Sequence, residues 1–318
     1  MDNPTGNISY SVIIPCYNDS TILASTHERL SAVMAKLSPF YEIVYVDDAS
    51  RDNTFHAIKE LQKKDSGHVV GLRLLRNFGQ HAAISAGFSV VRGDVIITLD
   101  SDLEDPPEEL PRLIAKLSEG YEVVAAVRSG RSHGLIRILS SRVINFVISR
   151  ATGVSLRDYG CMFRVYKKEV LGYLDQCKEL NRFLPALVSW LNVSIAEVEI
   201  QSERREDKKK SRYSFYKLLD MALDISTSYS NLPIKIITVL GILSIFIGTC
   251  LSLFLVGYRI FVGPGISGMI SFIAVLLLIS GIQMGAVGLV GNYVGRIFTQ
   301  VQNRPYFIIR EEVRGERT

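Results

Sequence analysis

Val95-Ile96-Ile97-Thr98-Leu99-Asp100-Ser101-Asp102-Leu103-Glu104-Asp105-Pro106-Pro107-Glu108 is the stretch on which the reading of this chain turns. A β-branched apolar run, Val95 to Leu99, breaks off into acids, and Pro106 and Pro107 forbid any further strand. Carboxylates are thereby presented at a strand's carboxyl end. Asp100, Asp102 and Glu104, at alternate positions, repel one another unless a cation or a donor meets them. Two readings stay open from these residues alone. One is a divalent cation, Mg²⁺ or Mn²⁺, whose all-oxygen shell commonly joins a few carboxylates to substrate phosphates. The other is an acidic turn that caps the following helix.

Outward from this stretch the same arrangement repeats. Ile8 to Ile14 reads as a buried strand that stops at Pro15, and Pro15-Cys16-Tyr17-Asn18-Asp19-Ser20 supplies turn and cap chemistry for a helix through Leu37. Tyr41 to Val46 is a second strand, ending at Asp47-Asp48-Ala49-Ser50. Thr54 to Lys64 has helical spacing, Val69 to Leu75 is a third strand, and Arg76-Asn77-Phe78-Gly79-Gln80 leads into an Ala-rich helix from His81 to Val91. Beyond the acids come a helix, Pro111 to Leu117, and a strand, Val123 to Val127. This alternation predicts an α/β fold with a mainly parallel sheet, whose ligands sit beyond the strands' carboxyl ends. No GxGxxG opens the first helix and no GxxxxGK[ST] occurs anywhere. A nucleotide is still accommodated: Asp47 or Asp48 can accept hydrogen bonds from a base or ribose, and Arg76 can meet a phosphate. Taken singly, each is equally an ordinary turn or surface residue.

The totals describe two unlike halves. A length of 318 residues admits two domains at about 150 residues each. Formal charge is +4, and mean hydropathy is positive, which soluble enzymes rarely show. Cys16, Cys161, Cys177 and Cys250 form no CxxC pair, so neither a zinc site nor a disulfide framework is expected. The start, MDNPTGNISY, has no basic and apolar signal character, which keeps the first half in the cytoplasm.

The second half changes character. Leu135 to Ile148 places Leu135, Ile138, Leu139, Val143, Phe146 and Val147 on one helical face, suited either to packing on the sheet or to a membrane surface. Arg157-Asp158-Tyr159-Gly160-Cys161-Met162-Phe163-Arg164 holds an Asp between two Arg, by itself no more than a surface ion pair. Glu203 to Lys217 is strongly basic and precedes apolar helical spacing at Phe215, Leu218, Leu219, Ala222 and Leu223. That order favours anionic lipid headgroups over nucleic acid, at about 1 kcal/mol per basic residue near the surface. Two apolar segments, about 234–256 and 266–290, then reach the roughly 20 residues a membrane-crossing helix needs. Arg296, Arg304 and Arg310, with the basic run, outweigh Arg259 in the connector, so both ends of this hairpin are expected on the cytoplasmic side. Gln283, Gly281, Gly285, Gly288 and Gly291 suggest close helix packing and a homo-oligomer. The expected division is a catalytic domain over 1–212, a juxtamembrane amphipathic helix over 213–231, a transmembrane hairpin over 232–297 and a cytoplasmic tail over 298–318, with 304–310 adding a short strand to the catalytic domain.

SVIIPCYND, VDDAS, RNFG, LDSDLEDPPE, DYGCMFR and GNYVGRIFTQVQNRPYF together resemble a family 2 glycosyltransferase of the polyprenyl-phosphate sugar transferase type. The likeness extends to bactoprenol glucosyltransferases and, more distantly, dolichol-phosphate mannose synthases. It implies a GT-A fold that moves a sugar from a nucleotide diphosphate donor to a lipid phosphate with inversion. By the same resemblance Pro15, Tyr17, Asp19, Asp47 and Asp48 line the nucleotide pocket, with Arg76 at a phosphate. Asp100 touches nucleotide and metal, and Asp102 and Glu104 complete the metal site. Asp158 falls where the family keeps its catalytic base, and Arg128, Arg131, Arg164, Arg205, Ser211 and Arg212 are candidates for the acceptor phosphate. Relatives commonly have Gln in place of Glu104, and an Arg, a Gly and then Ser-Lys-Tyr where this chain has Arg205 to Tyr213 without the Gly. UDP-glucose is the donor expected by likeness, with GDP-mannose, UDP-galactose and an aminosugar donor left open. A processive synthase is disfavoured because no QxxRW motif is present, and a non-catalytic membrane adaptor is the competing class.

Overall fold

The computed structural model describes residues 9–129, 157–177, 179, 183–203, 232–261 and 268–315. Among these the chain divides into two compact units, one formed by Met1–Leu218 with Pro305–Thr318 and the other by Leu219–Arg304. The expected helix at 135–148, the juxtamembrane helix at 213–231, and Arg131, Arg205, Ser211 and Arg212 lie outside the described residues.

The first unit is built on a mixed sheet of eight strands: β1 (Tyr10–Cys16), β2 (Tyr41–Asp47), β3 (Val69–Leu74), β4 (Val95–Thr98), β5 (Val123–Ser129), β6 (Arg164–Lys167), β7 (Ile195–Gln201) and β8 (Ile309–Arg314), in the spatial order β7-β5-β6-β4-β1-β2-β3-β8. β4, β1, β2 and β3 are mutually parallel, as the alternating pattern predicts, whereas β6 runs antiparallel to both β4 and β5 and β8 antiparallel to β3.

Helices cover both faces. α1 (Leu23–Leu37) buries Leu23, Thr26, Leu30 and Met34, α2 (Thr54–Lys64) buries Phe55, Ile58 and Leu61, and α4 (Leu110–Ser118) buries Leu110, Leu113 and Leu117. These recur every three or four residues, so each helix turns one apolar stripe onto Val12, Ile14, Ile43, Ile97 and Val124 of the sheet. Ile13 points the other way, and α3 (Gln80–Phe88) lies against it so closely that a Cβ on Gly87 would come within 2.5 Å of the Ile13 side chain. Two further helices, α5 (Lys168–Gln176) and α6 (Leu184–Trp190), follow β6.

Pro15 does not end β1, which continues to Cys16. The reason is bonding direction. The Ile13 carbonyl accepts from Leu99 N–H on the β4 side, and the Cys16 carbonyl accepts from Asp48 N–H on the β2 side. Position 15 therefore faces β4 again, beyond the last β1–β4 pair at Ile13 and Thr98, where no ladder donor is required. The tail does add a strand, displaced to Ile309–Arg314. Arg314 Nη1 stands 3.8 Å from the buried Glu42 carboxylate, and its Nη2 donates to the Val90 carbonyl at 3.1 Å.

The second unit contains α7 (Leu232–Phe261) and α8 (Gly268–Val301), 30 and 34 residues long and in contact with each other. Lys235 sits in the first turn of α7, so the charge-free run begins at Ile236 rather than Ile234. Among the described residues no helix is long and apolar enough to cross a membrane. Among the described residues a Cβ on Gly281, Gly285, Gly288 or Gly291 would meet nothing within 4 Å.

Candidate active site at the carboxyl ends of β1, β2 and β4

β4, β1 and β2 lie side by side and run parallel, so the sheet itself brings together the acids that follow them. Each exit turns on one residue with left-handed backbone: Asn18 (φ 58°), Ala49 (φ 55°) and Leu103 (φ 57°). That conformation costs a side-chain-bearing residue about 1–2 kcal/mol, and strain of this kind collects where loops are held for function. Asp19 joins two of the exits: its Oδ2 accepts from Tyr17 N–H at 2.9 Å and from the Ser101 hydroxyl at 2.7 Å. Asp19 N–H donates to Thr54 Oγ1 at 2.8 Å, and Asn18 N–H to Ser50 Oγ at 2.9 Å, so the β1 and β2 exits are tied as well.

The two acids after β2 act differently from each other. Asp48 is buried and accepts from Phe78 N–H at 2.7 Å and Gly79 N–H at 2.8 Å, which draws the RNFG turn over the crevice. Gly79 at φ +93° permits that turn. Burial raises the Asp48 pKa, and the two N–H donors pull in the opposite direction. Asp47 is fully buried, with Oδ1 accepting from Ser50 N–H and Oδ2 3.4 Å from Arg73 Nε. Arg73 is thus the cation beside it. Arg76 is exposed and stacks on the Phe78 ring at 4.7 Å. The available signal was a lone Arg inside an apolar strand, VVGLRL.

Asp100 is half-buried, accepts from Gln80 Nε2 at 2.6 Å, and lies 3.6 Å from Arg128 Nη2. Arg128 is committed chiefly to Asp105, with Nε at 2.8 Å and Nη2 at 2.6 Å, and neither side chain reaches a tenth exposed. Burial opposes the guanidinium's charge, yet the bonds to Asp105 and the nearby charges raise its pKa on balance. Cys161 Sγ stands 3.6 Å from Asp105, and its thiol is pushed up to about 12, first by burial and then by Asp105, with Asp158 adding and Arg128 opposing. Asp158 therefore belongs to the same corner, half-buried, with Oδ1 accepting from Gly160 N–H at 2.9 Å.

Asp102 and Glu104 are half-buried at the turn, where Asp102 Oδ1 accepts from Glu104 N–H at 3.1 Å. The residues after β7 clamp this turn: the Ser202 hydroxyl and Glu203 N–H both donate to the Glu104 carbonyl, at 3.0 and 2.9 Å. Among the described residues no three Asp, Glu, His or Cys side chains are gathered as a metal cage, so the expected convergence of Asp100, Asp102 and Glu104 is not preformed. The carboxylates' mutual repulsion accounts for this, since Asp100 is drawn instead to Arg128 and Gln80. The donor set still suits Mg²⁺ or Mn²⁺, which typically take one or two carboxylates and complete the shell with phosphate and water.

Arg164 departs from the acceptor-phosphate expectation. It is 1% exposed, on β6 opposite Thr98, and its Nε donates to the Cys161 carbonyl at 3.1 Å. His81, which by sequence is no more than a helix start, is near it. Burial first, and Arg164 second, lower its pKa to about 4.

Residues 11–174 match Glycosyl transferase family 2. The chain belongs to that family. It is 39% identical over 305 residues to an undecaprenyl-phosphate 4-deoxy-4-formamido-L-arabinose transferase of Pectobacterium atrosepticum, covering 95% of this chain and 93% of that one. It is 38% identical over 315 residues to the transferase of the same name from Shewanella sediminis, covering 98% and 95%. The resemblance to polyprenyl-phosphate sugar transferases of family 2 is thereby borne out. Among solved structures, glucosyl-3-phosphoglycerate synthase from Mycobacterium tuberculosis, in complex with Mn²⁺, uridine diphosphate and phosphoglyceric acid, superposes with TM-score 0.51 at 17% identity, over 70% of this chain and 77% of that one. This likeness shows the GT-A-like fold.

Two outcomes follow from the geometry. Arg128→Met strands the buried Asp105 carboxylate and should cost about 3–5 kcal/mol of unfolding free energy, whereas Asp105→Asn should cost clearly less, read from denaturant midpoints. Equal losses in the two variants would contradict the ion-pair account. His81 takes a proton in the unfolded chain near pH 6.5 but in the folded one only near 4. Wild type should therefore lose stability relative to His81→Phe as pH falls from 6.5 to 4, with no difference in slope above 7.

Proposed function

We propose that this chain transfers a sugar from a nucleotide diphosphate donor to polyprenyl phosphate, with inversion at the anomeric carbon. The observation that carries the reading is similarity along almost the whole chain, at 38–39% identity, to transferases named for undecaprenyl phosphate. Those relatives give the glucose expectation no support. Their name favours 4-deoxy-4-formamido-L-arabinose as the transferred sugar, and a uridine diphosphate ester is proposed as its carrier by the same family resemblance that led to UDP-glucose.

The residues support a single displacement. A phosphate monoester has a second pKa of about 6, so the acceptor is already largely a dianion near neutrality and needs little help as a nucleophile. Asp158, beside Cys161 and Asp105, serves to orient the acceptor or to take a residual proton. A divalent cation held by Asp100, Asp102 and Glu104 would supply charge neutralisation at the donor diphosphate. Gln80 and Arg128 keep the Asp100 carboxylate aimed. Asp47, Asp48 and Asp19, with Pro15 and Tyr17, form the nucleotide side of the crevice, where Asp48 and Asp19 hold loops and Asp47 keeps one buried oxygen outside any hydrogen bond. The basic run that follows Glu203 in sequence, Arg205, Ser211 and Arg212, is together with Arg131 the proposed receiver of the acceptor phosphate.

A lipid acceptor calls for a membrane. The sequence runs Ile236 to Val256 and Ile266 to Gly295 carry no formal charge and reach the roughly 20 residues a crossing needs, and they support that reading. The chain leaves the first unit before α7 and rejoins it after α8, which supports an even number of crossings. The catalytic unit is therefore proposed on the cytoplasmic face of an integral membrane protein, with the outward-lying glycines of α8 proposed as the contact in a homo-oligomer. Crosslinking in intact membranes should trap dimers or larger species through α8, and monomers alone would overturn the oligomer.

Asp158→Asn should lower transfer at least 100-fold while leaving nucleotide affinity within about threefold. The assay is release of uridine diphosphate by full-length protein with Mg²⁺ and polyprenyl phosphate. An adaptor without catalysis would release none above the lipid-free control, with any donor.

A further inference from the structure

The α3 face of the sheet holds polar atoms that the transfer chemistry above leaves unused. Arg164 Nη1 and Nη2, His81 Nδ1 and Ser85 Oγ are buried with no hydrogen-bond partner. They form one group. Phe88 packs edge-on against Tyr166 with ring centroids 5.7 Å apart, and Tyr166 is two residues from Arg164 on the same strand face. His81 and Ser85 precede Phe88 by seven and three residues, so they fall on the same side of α3, over Arg164. Met162, Ile84 and Leu184 supply an apolar wall, and Phe183 stands edge-on to His81 at 5.1 Å.

A guanidinium whose two terminal nitrogens lose water without gaining an acceptor is poorly compensated, and folds tolerate this where a ligand will meet it. Arg164 offers two N–H groups in a planar fork, which fits an sp² oxygen, and neutral His81 and the Ser85 hydroxyl can add one bond each. The position is next to the chemistry. His81 follows Gln80, which holds Asp100, and Arg164 pairs with Thr98, two residues before Asp100. His81 is half-buried as a residue and is the member of the group that reaches the surface.

We infer that Arg164, His81 and Ser85 form the subsite that reads a planar oxygen-bearing substituent on the donor sugar, an amide carbonyl or a carboxylate. This rests on the donor reading above and names the part of the sugar that is recognised. Arg164 is thus a specificity residue.

Calorimetric titration of the full-length protein with Mg²⁺ and no lipid tests this apart from transfer. The probes are the uridine diphosphate esters of 4-deoxy-4-formamido-L-arabinose, L-arabinose and glucuronic acid. Wild type should bind either the formamido or the uronic donor at least tenfold tighter than the plain pentose, and whichever is preferred names the source of the oxygen. Arg164→Met should reduce that ratio to within about twofold of one, and His81→Phe should cut it by at least threefold, so a poorly folding Arg164 variant leaves a second reading. Equal binding of all three donors by wild type, or a ratio that survives in both variants, overturns the subsite. Donor binding with this pattern but no release of nucleotide on adding polyprenyl phosphate would sink the acceptor assignment and leave the subsite standing.

Discussion

The ion pair between Arg128 and Asp105 is the constraint on which the crevice depends. The loop leaving β4 carries Asp100, Asp102, Glu104, Asp105 and Glu108 within nine positions, a density of negative charge that would drive an unsupported turn apart. Arg128, at the end of β5, meets Asp105 with two nitrogens and remains within 3.6 Å of Asp100. One guanidinium therefore fixes the loop to β5, across the intervening β6, and fixes the first acid in place. Replacing such a pair with apolar residues often leaves stability unchanged, so its retention is better explained by the geometry it imposes than by energy gained.

The acids then separate into two kinds. Asp19, Asp48 and Asp105 have committed their oxygens to backbone N–H groups, Ser101 and Arg128, and they hold the β1, β2, β3 and β4 exits together. Asp100, Asp102, Glu104 and Asp158 are half-buried at the crevice. Rigid braces beneath accessible carboxylates are what a site for a charged donor requires, since the groups that meet substrate must not also carry the fold.

Most of this division was invisible in the chain. The parallel strands β1 to β4 and their acidic ends were legible, because a β-branched run cut short by Asp and Pro fits a buried strand with a polar exit and fits a helix poorly. The continuation of β1 through Pro15 was not, since it depends on which neighbour has already ended. Nor were β6 and β7, whose antiparallel and late pairings bring Arg164 under α3 and Ser202 onto Glu104. DYGCMFR reads as a loop with flanking charges, yet its last residue is the deepest cation among the described residues. Sequence spacing identifies what leaves a strand. It does not tell which of those groups will turn inward to find a partner.

The eighth strand has a consequence for assembly. β3 lacks its outer neighbour until Ile309–Arg314 arrives, and that segment follows both long helices in the order of synthesis. While the ribosome is still extending α8, the nascent sheet exposes the backbone groups of Val70 to Leu74 along an unprotected edge. Closure of that edge thus waits on both long helices having been made, so the sheet beneath the crevice is completed only after the whole of α8 has been synthesised.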